Sequence, residues 1–265
     1  MNCHICSKSL VGAYLIDAWD NKMCESHFGK GVVHCSSCTA FTKREHVVSD
    51  GRVLCKRCYD ATIKPGDSIE KIKTFVTKSL YNTGFSDLRI EDISLEIVSA
   101  QKLADLQKMP VNLDNKGFTL SNVTTSSLYG VLTTKQKFDH TIYMLTHLTS
   151  VEFAGTLAHE MLHAWLTQYN VNMPQKKMEG FCNMGTYLIY SSIKGTFAKM
   201  QLKFLHESAD PIYGDGFREM YEHFKRLGWN ELIADVRRKG VAGKYFPQVS
   251  HIYSGIQSVV NSIKI

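Results

Sequence analysis

The order of hydrophobic and polar positions predicts strands followed by helices in most of the chain. Apolar residues recur at helical spacing over residues 68–83, which predicts an amphipathic helix. Four further stretches have the apolar pattern of strands: DISLEIVSA, GFTLSNVTT, SLYGVLTT and HTIYMLTHL. A short helix is expected between the first two, ending before Pro110. After residue 149 the pattern is almost entirely helical, and strands followed by helices indicate an α+β domain of about 200 residues.

The first 58 residues have a different character, because they contain seven of the eight cysteines. Potential ligands spaced as C-x₂-C or C-x₂-H form four pairs: Cys3 and Cys6, Cys24 and His27, Cys35 and Cys38, Cys55 and Cys58. Such pairs suit turns whose thiolates and imidazole converge on a tetrahedral zinc ion. We predict two structural zinc sites, the first held by the first two pairs and the second by the last two. His34 is an alternative to His27 in the first site, and disulfide bonds are the rival interpretation of the cysteines.

A break at Lys64-Pro65-Gly66 separates this region from the rest. We therefore predict a double zinc-binding module over residues 1–64 and a second domain over residues 67–265. Some sixty residues bury little surface, so bound metal must supply much of the folding free energy of the module.

A third metal site is predicted by the segment TLAHEMLHAW, which contains the pattern His-Glu-x-x-His. His159 and His163 are four residues apart, so on a helix both imidazoles face one ion. Glu160 sits beside that ion and can accept a proton from a metal-bound water. Thr149 and Glu152 predict a capping box at the start of the helix. The alternative is a buried helix whose histidines only pack.

A catalytic zinc needs a third protein ligand, and Glu179 is the candidate. A loop near residues 170–173 would let the next helix run back and bring Glu179 to the histidines. Asn183, four residues further on, shares that helix face and could hydrogen-bond a ligand. The alternative for Glu179 is a solvated carboxylate at a helix start. Cys182 is interpreted as a small buried hydrophobic residue rather than a nucleophile, since no histidine neighbours it in the sequence.

Residues 3–58 resemble a LIM domain, a protein-binding unit with two adjacent zinc sites. The third and fourth ligands read Cys then His, where LIM domains have His then Cys, and the link from His27 to Cys35 is longer than usual. LAHEMLHAWL, EGFC and DPIYGDGFR follow in that order. Together these features resemble the plant growth-limiting peptidases, which are ubiquitin-activated, LIM-bearing zinc peptidases of the gluzincin type. The first ligand is residue 3, so we expect a minimal form without ubiquitin-interacting motifs.

The resemblance implies a zinc metalloendopeptidase that cleaves protein substrates, with a gluzincin-like catalytic domain, one catalytic zinc and two structural ones. Glu160 would be the general base, and Tyr213 is a candidate donor to the oxyanion. Asp215 and Arg218 would brace the loop that contains Tyr213. The strand TIYMLTHL is expected to pair with an extended substrate along its edge.

Composition and charge limit the other function classes. The formal charge of +6 is mildly basic with Lys and Arg spread along the chain, which gives little support for nucleic-acid binding. No stretch is long and apolar enough to predict a membrane span, and the N-terminus lacks an apolar signal region, so a cytoplasmic location is expected. Two other functions stay open at this point. One is a non-catalytic LIM-like adaptor with a pseudo-peptidase domain, and the other is a zinc-finger regulator that binds nucleic acid.

Overall fold

The computed structural model of the protein describes residues 1–64, 69–127 and 134–240. The predicted linker at Pro65 and Gly66 and most of the predicted strand SLYGVLTT lie outside these residues. The described part is of the mixed α+β class, with small sheets, a largely helical second half and an N-terminal cysteine-rich region. Within it, no helix combines the length and the apolar character that crossing a bilayer requires.

The N-terminal region is built from three short antiparallel hairpins and one short helix. The strands are β1 Tyr14–Ile16, β2 Lys22–Cys24, β3 Val32–His34, β4 Phe41–Lys43, β5 His46–Val47 and β6 Val53–Leu54, and helix α1 is Lys56–Asp60. Two small clusters replace a continuous core, one around Met23 and Phe41 and one around Leu54 and the buried cysteines. Clusters of this size bury little apolar surface, which is consistent with a fold that depends on metal.

A three-stranded sheet and two helices begin the second part. Helix α2 is Ile69–Leu80, strand β7 is Ile93–Val98, helix α3 is Ala100–Gln107, strand β8 is Gly117–Ser127 and strand β9 is Thr134–Leu145. The strand order is β7-β9-β8, with β7 parallel and β8 antiparallel to β9. The expectation that TIYMLTHL offers an edge to a substrate is therefore wrong. This segment lies mainly in β9, whose hydrogen-bonding groups already pair with strands on both sides, and β8 is the edge strand nearest the His-Glu helix.

Four helices follow: α4 Ser150–Gln168, α5 Gln175–Ser192, α6 Thr196–Glu207 and α7 Tyr213–Arg238. The predicted capping box is present, because Thr149 Oγ1 accepts from Glu152 N and the Glu152 side chain accepts from Thr149 N. Every residue of α4 from Glu152 to Leu166 is buried, since β8 and β9 cover one side of this helix and α2 and α5 cover others. The helix that carries the His-Glu motif is thus the central element of the main core.

The N-terminal region is joined to the second part by backbone hydrogen bonds at the start of α4. Ile63 N donates to Leu148 O at 2.9 Å, and Ser150 N donates to Ala61 O at 3.2 Å. Thr62 forms an antiparallel bridge with Thr149 between them. The end of the zinc-binding region is therefore fixed to the residues that precede the His-Glu helix.

Candidate metal centre

Helix α4 places two imidazoles of the His-Glu motif side by side. His159 and His163 are one helical turn apart, and their Nε2 atoms are 3.0 Å from each other. Both side chains are buried. Two ring nitrogens at this distance need a shared proton or a shared cation between them, because two lone pairs would repel.

Glu179 completes the group from the facing helix α5. Its Oε2 lies 3.2 Å from His159 Nε2 and 3.4 Å from His163 Nε2. Ligands bound to zinc at 2.0–2.1 Å in a tetrahedron are about 3.3 Å apart, so these three atoms have the spacing of three tetrahedral ligands. Burial would raise the pKa of Glu179, but His163 and His159 lower it below its ordinary value, which favours the carboxylate. The donor set and its spacing fit a zinc ion.

Asn183 orients one of these histidines. His159 Nδ1 and Asn183 Oδ1 are 2.9 Å apart, and Asn183 Nδ2 donates to the backbone oxygen of Tyr213 at 3.1 Å. Because Nδ2 is engaged as a donor, Oδ1 accepts the proton of Nδ1, which leaves the Nε2 lone pair directed to the metal position. Asn183 thus contacts His159, one of the predicted ligands.

Strand β8 contacts the predicted general base, Glu160. Thr119 Oγ1 donates to Glu160 Oε2 at 2.7 Å and also lies 3.1 Å from Glu160 O. At Gly117 an added Cβ would lie 2.9 Å from Glu160 Oε1, so any larger residue would force the carboxylate to shift from this position. Glu160 Oε1 itself is buried and has no hydrogen-bond partner among the described residues. Neither Gly117 nor Thr119 was singled out from the sequence, because the pairing of β8 with α4 is not a local feature of the chain.

Close glycine contacts bring α5 and α7 together next to Glu179. A Cβ at Gly180 would overlap the backbone carbonyl of Gly216, so the two helices cross at backbone distance. Tyr213, at the first position of α7, is buried, and its carbonyl accepts from Asn183.

Arg218 donates to Ser208 O at 2.6 Å and to His206 O at 3.0 Å, and it pairs with Asp215. These bonds give Arg218 and Asp215 the bracing role expected of them.

Cys182 is a further member of the cluster. Its Sγ lies within 4.8 Å of a ring nitrogen of His159 and of His163, and the side chain is fully buried. Burial raises the pKa of the thiol to about 11, which favours the neutral form. Cys182 is buried as predicted, but its nearness to the histidines was not predicted, since only the packing of α5 on α4 creates it.

The cysteine-rich region contains two further groups with the ligands of zinc. The ligand atoms within each group lie within 4.8 Å of one another, and the groups are Cys3, Cys6, Cys24 and His27, and Cys35, Cys38, Cys55 and Cys58. Cys38 Sγ and Cys55 Sγ are 3.7 Å apart, close to the spacing of about 3.8 Å between thiolates at 2.3 Å from a tetrahedral zinc. His34 is engaged elsewhere, with its Nδ1 2.7 Å from Thr39 O.

Backbone amides support the charge of these thiolates. Ile5 N and Cys24 N each donate to Cys3 Sγ at 3.4 Å, and Cys55 N donates to Cys35 Sγ at 3.2 Å. Burial would raise the pKa of Cys3, but the backbone N–H groups of Cys24, Cys6 and Ile5 lower it to about 6. A thiol held in this way is ready to bind zinc near neutral pH.

The fold and the sites define a class of protein: a cysteine-rich zinc-binding region joined to an α+β domain with a buried His₂-carboxylate cluster. Among known proteins the chain is 23% identical over 284 residues to the LIM domain-containing protein HDR3 of rice, Oryza sativa subsp. japonica, covering 84% of this chain and 56% of that protein. It is 23% identical over 279 residues to Protein DA1 of Arabidopsis thaliana, covering 84% and 52%. Protein DA1-related 2 of the same plant is 22% identical over 285 residues, covering 84% and 53%.

The chain thus spans about half the length of the curated relatives that it matches. No family model matches the chain. No solved structure matches it either.

Proposed function

We propose that the protein is a zinc-dependent metallopeptidase that hydrolyses peptide bonds of protein substrates. The observation that carries the proposal is the spacing of His159 Nε2, His163 Nε2 and Glu179 Oε2, which lie 3.0–3.4 Å apart around one point. His₂-Glu is a ligand set of catalytic zinc sites, in which a fourth position is left for water or substrate. Similarity to LIM-domain and DA1 proteins of plants supports a LIM-bearing protein, and the activity is our inference from the site.

Zinc at this cluster would supply a water molecule of lowered pKa and polarise the scissile carbonyl. Residues of the protein would orient the metal ligands and transfer the protons. Asn183 holds His159 in the tautomer that ligates, and Thr119 holds one carboxylate oxygen of Glu160, so that Oε1 is left to accept a proton. Glu160 would then deliver that proton to the leaving amine. Tyr213 is the proposed donor to the oxyanion, and Asn183 holds its backbone.

Replacement of the proposed base separates a peptidase from a protein that only binds metal. Glu160→Gln keeps the size of the side chain but cannot accept the proton, so we expect cleavage to fall by about 10²–10⁴-fold while the zinc content stays the same. Cleavage is measured by mass spectrometry on a library of unstructured peptides, and zinc by native mass spectrometry. The matched control is Glu231→Gln, which alters an exposed carboxylate of α7. Cleavage that is equal in wild type and Glu160→Gln would contradict the proposal and leave the non-catalytic adaptor as the better description.

The LIM-like region has the proposed role of contacting a protein partner or substrate. Exposed apolar side chains lie in its first strand and just before it, at Val11, Tyr14 and Ile16. Replacing Val11 and Ile16 by Asp should raise the KM for a folded protein substrate and leave the cleavage of short peptides unchanged. Equal KM values for the protein substrate before and after the change would argue against a role of this surface.

A further inference from the structure

A buried carboxylate at the start of α4 connects the zinc-binding region to the helix of the His-Glu motif. Glu152 is 2% exposed, and its two oxygens accept from side chains of three different segments. Ser37 Oγ donates to Oε2 at 2.7 Å and Thr149 Oγ1 to the same atom at 2.8 Å, while Lys116 Nζ lies 2.7 Å from Oε1. Thr149 is a close neighbour of Glu152 in the chain, but Ser37 comes from 115 residues earlier.

Ser37 lies inside the turn between two ligands of the second cysteine site. Cys35 and Cys38 flank it, and both are buried. A second contact holds the same turn, because Gln201 of α6 donates from Nε2 to Ser37 O at 2.8 Å. Phe197, also on α6, packs against the cluster of buried cysteines. A metal bound to Cys35 and Cys38 would fix the shape of this turn. Helices α4 and α6 both contact the turn, so their contacts depend on that shape.

Glu152 is also bonded to the residue that precedes β8, the strand that contacts the predicted base Glu160. Lys116 immediately precedes β8, and Thr119, three residues later, donates to Glu160. Glu152 and Glu160 are eight residues apart on α4, about 12 Å along the helix axis. The helix and the strand are thus joined at two points, one at the predicted base and one at a carboxylate that the zinc-binding turn helps to hold.

We propose that the second cysteine site controls the order of α4, the helix of the His-Glu motif, with Ser37 as the positioning residue that links the two. With metal on Cys35, Cys38 and their partners, the Ser37 hydroxyl is fixed toward Glu152. Without it, the turn is released and the buried carboxylate loses one of its donors, a costly change for a charged group. The first turn of α4 and the start of β8 then open more often. The inference depends on these contacts and not on peptide hydrolysis.

The test is hydrogen exchange of the full-length, zinc-loaded protein. Ser37→Ala removes the hydroxyl, and we expect the amides of the first two turns of α4 to exchange about ten-fold faster or more. The matched control is Ser36→Ala, one residue away, whose hydroxyl accepts from Val53 N at 3.2 Å within the zinc-binding region itself. In this control, exchange in α4 should equal that of wild type. Unchanged exchange in Ser37→Ala, with zinc still bound at all sites, would overturn the proposal.

A second variant keeps the test decisive if Ser37→Ala fails to fold. Glu152→Gln changes the other partner, leaves every residue of the zinc-binding region in place, and retains the size of the side chain. Its amide carries no charge and accepts more weakly from Ser37 and Lys116, so it should accelerate the same amides. A double variant that folds should show less than the product of the two single effects, since both changes weaken the Ser37–Glu152 bond. Wild-type exchange in Glu152→Gln would also overturn the proposal. Failure of the peptidase proposal would show instead as equal cleavage by wild type and Glu160→Gln, a result that leaves these exchange rates unaffected.

Discussion

The most direct test of the site geometry is a substitution that adds a methyl group where α5 crosses α7. In Gly180→Ala the new Cβ would lie 2.9 Å from Gly216 Cα and would overlap the carbonyl group of the same residue. Carbon atoms in contact are separated by at least about 3.5 Å, so the helices must move apart by about 0.6 Å or more. Glu179 precedes Gly180 and must move with the backbone. Metal ligands tolerate about 0.2 Å of displacement, so the zinc ion proposed for this site should bind much more weakly.

The strain itself should also lower stability. Overpacking of a close contact costs about 1–3 kcal/mol, and at this chain length each kcal/mol lowers Tm by about 2–4 °C. We expect Tm to fall by about 2–12 °C in a thermal scan, and native mass spectrometry to show the loss of the zinc ion proposed for the His-Glu site. Gln175→Ala is the control, because Gln175 is exposed on the same helix. A Gly180→Ala protein with three zinc ions and the Tm of wild type would refute the reasoning.

Two further predictions concern histidines of the second part. Asn183→Ala should weaken zinc binding at the third site by about 10–100-fold, because His159 loses the partner of its Nδ1, and competition with a chelator measures this. If Asn183→Ala binds zinc as tightly as wild type, the orienting role is wrong. Burial lowers the pKa of His140 to about 4, whereas the unfolded chain titrates near 6.5. The unfolded state therefore gains protons first, and about 3 kcal/mol of stability should be lost as pH falls from about 6.5 to about 4. Urea unfolding of His140→Gln, in which this part of the loss should vanish, provides the check.

Local chemistry explains which parts of the site were predictable from the sequence. His159 and His163 lie on the same face of a helix because they are four residues apart, and the capping box at Thr149 fixes where that helix begins. Glu179 could be proposed because a short loop forces the next helix to return along the first. Each of these inferences needs only neighbouring residues and the geometry of a helix.

The contacts that sequence reasoning missed join segments that are far apart in the chain. Thr119 reaches Glu160 from 41 residues away, and Ser37 reaches Glu152 from 115 residues away. The same limit explains the error over the substrate edge, since the position of a strand within a sheet depends on its partners. The apolar pattern of TIYMLTHL fits a central strand as well as an edge strand, and β7 and β8 occupy both sides of it.

Two buried carboxylates of the same core show why the His-Glu cluster is better explained by a metal than by packing. Glu152 is satisfied by the protein itself, through Ser37, Thr149 and Lys116. Glu179 is buried as deeply, but within the described residues its Oε1 has no hydrogen-bond partner, and its Oε2 meets only the two histidine nitrogens. A buried carboxylate with one oxygen left unpaired is costly, and a cation bound at the cluster would offset that cost. A proton on a histidine would satisfy Oε2 alone, whereas a metal ion can be approached by both oxygens and both imidazoles.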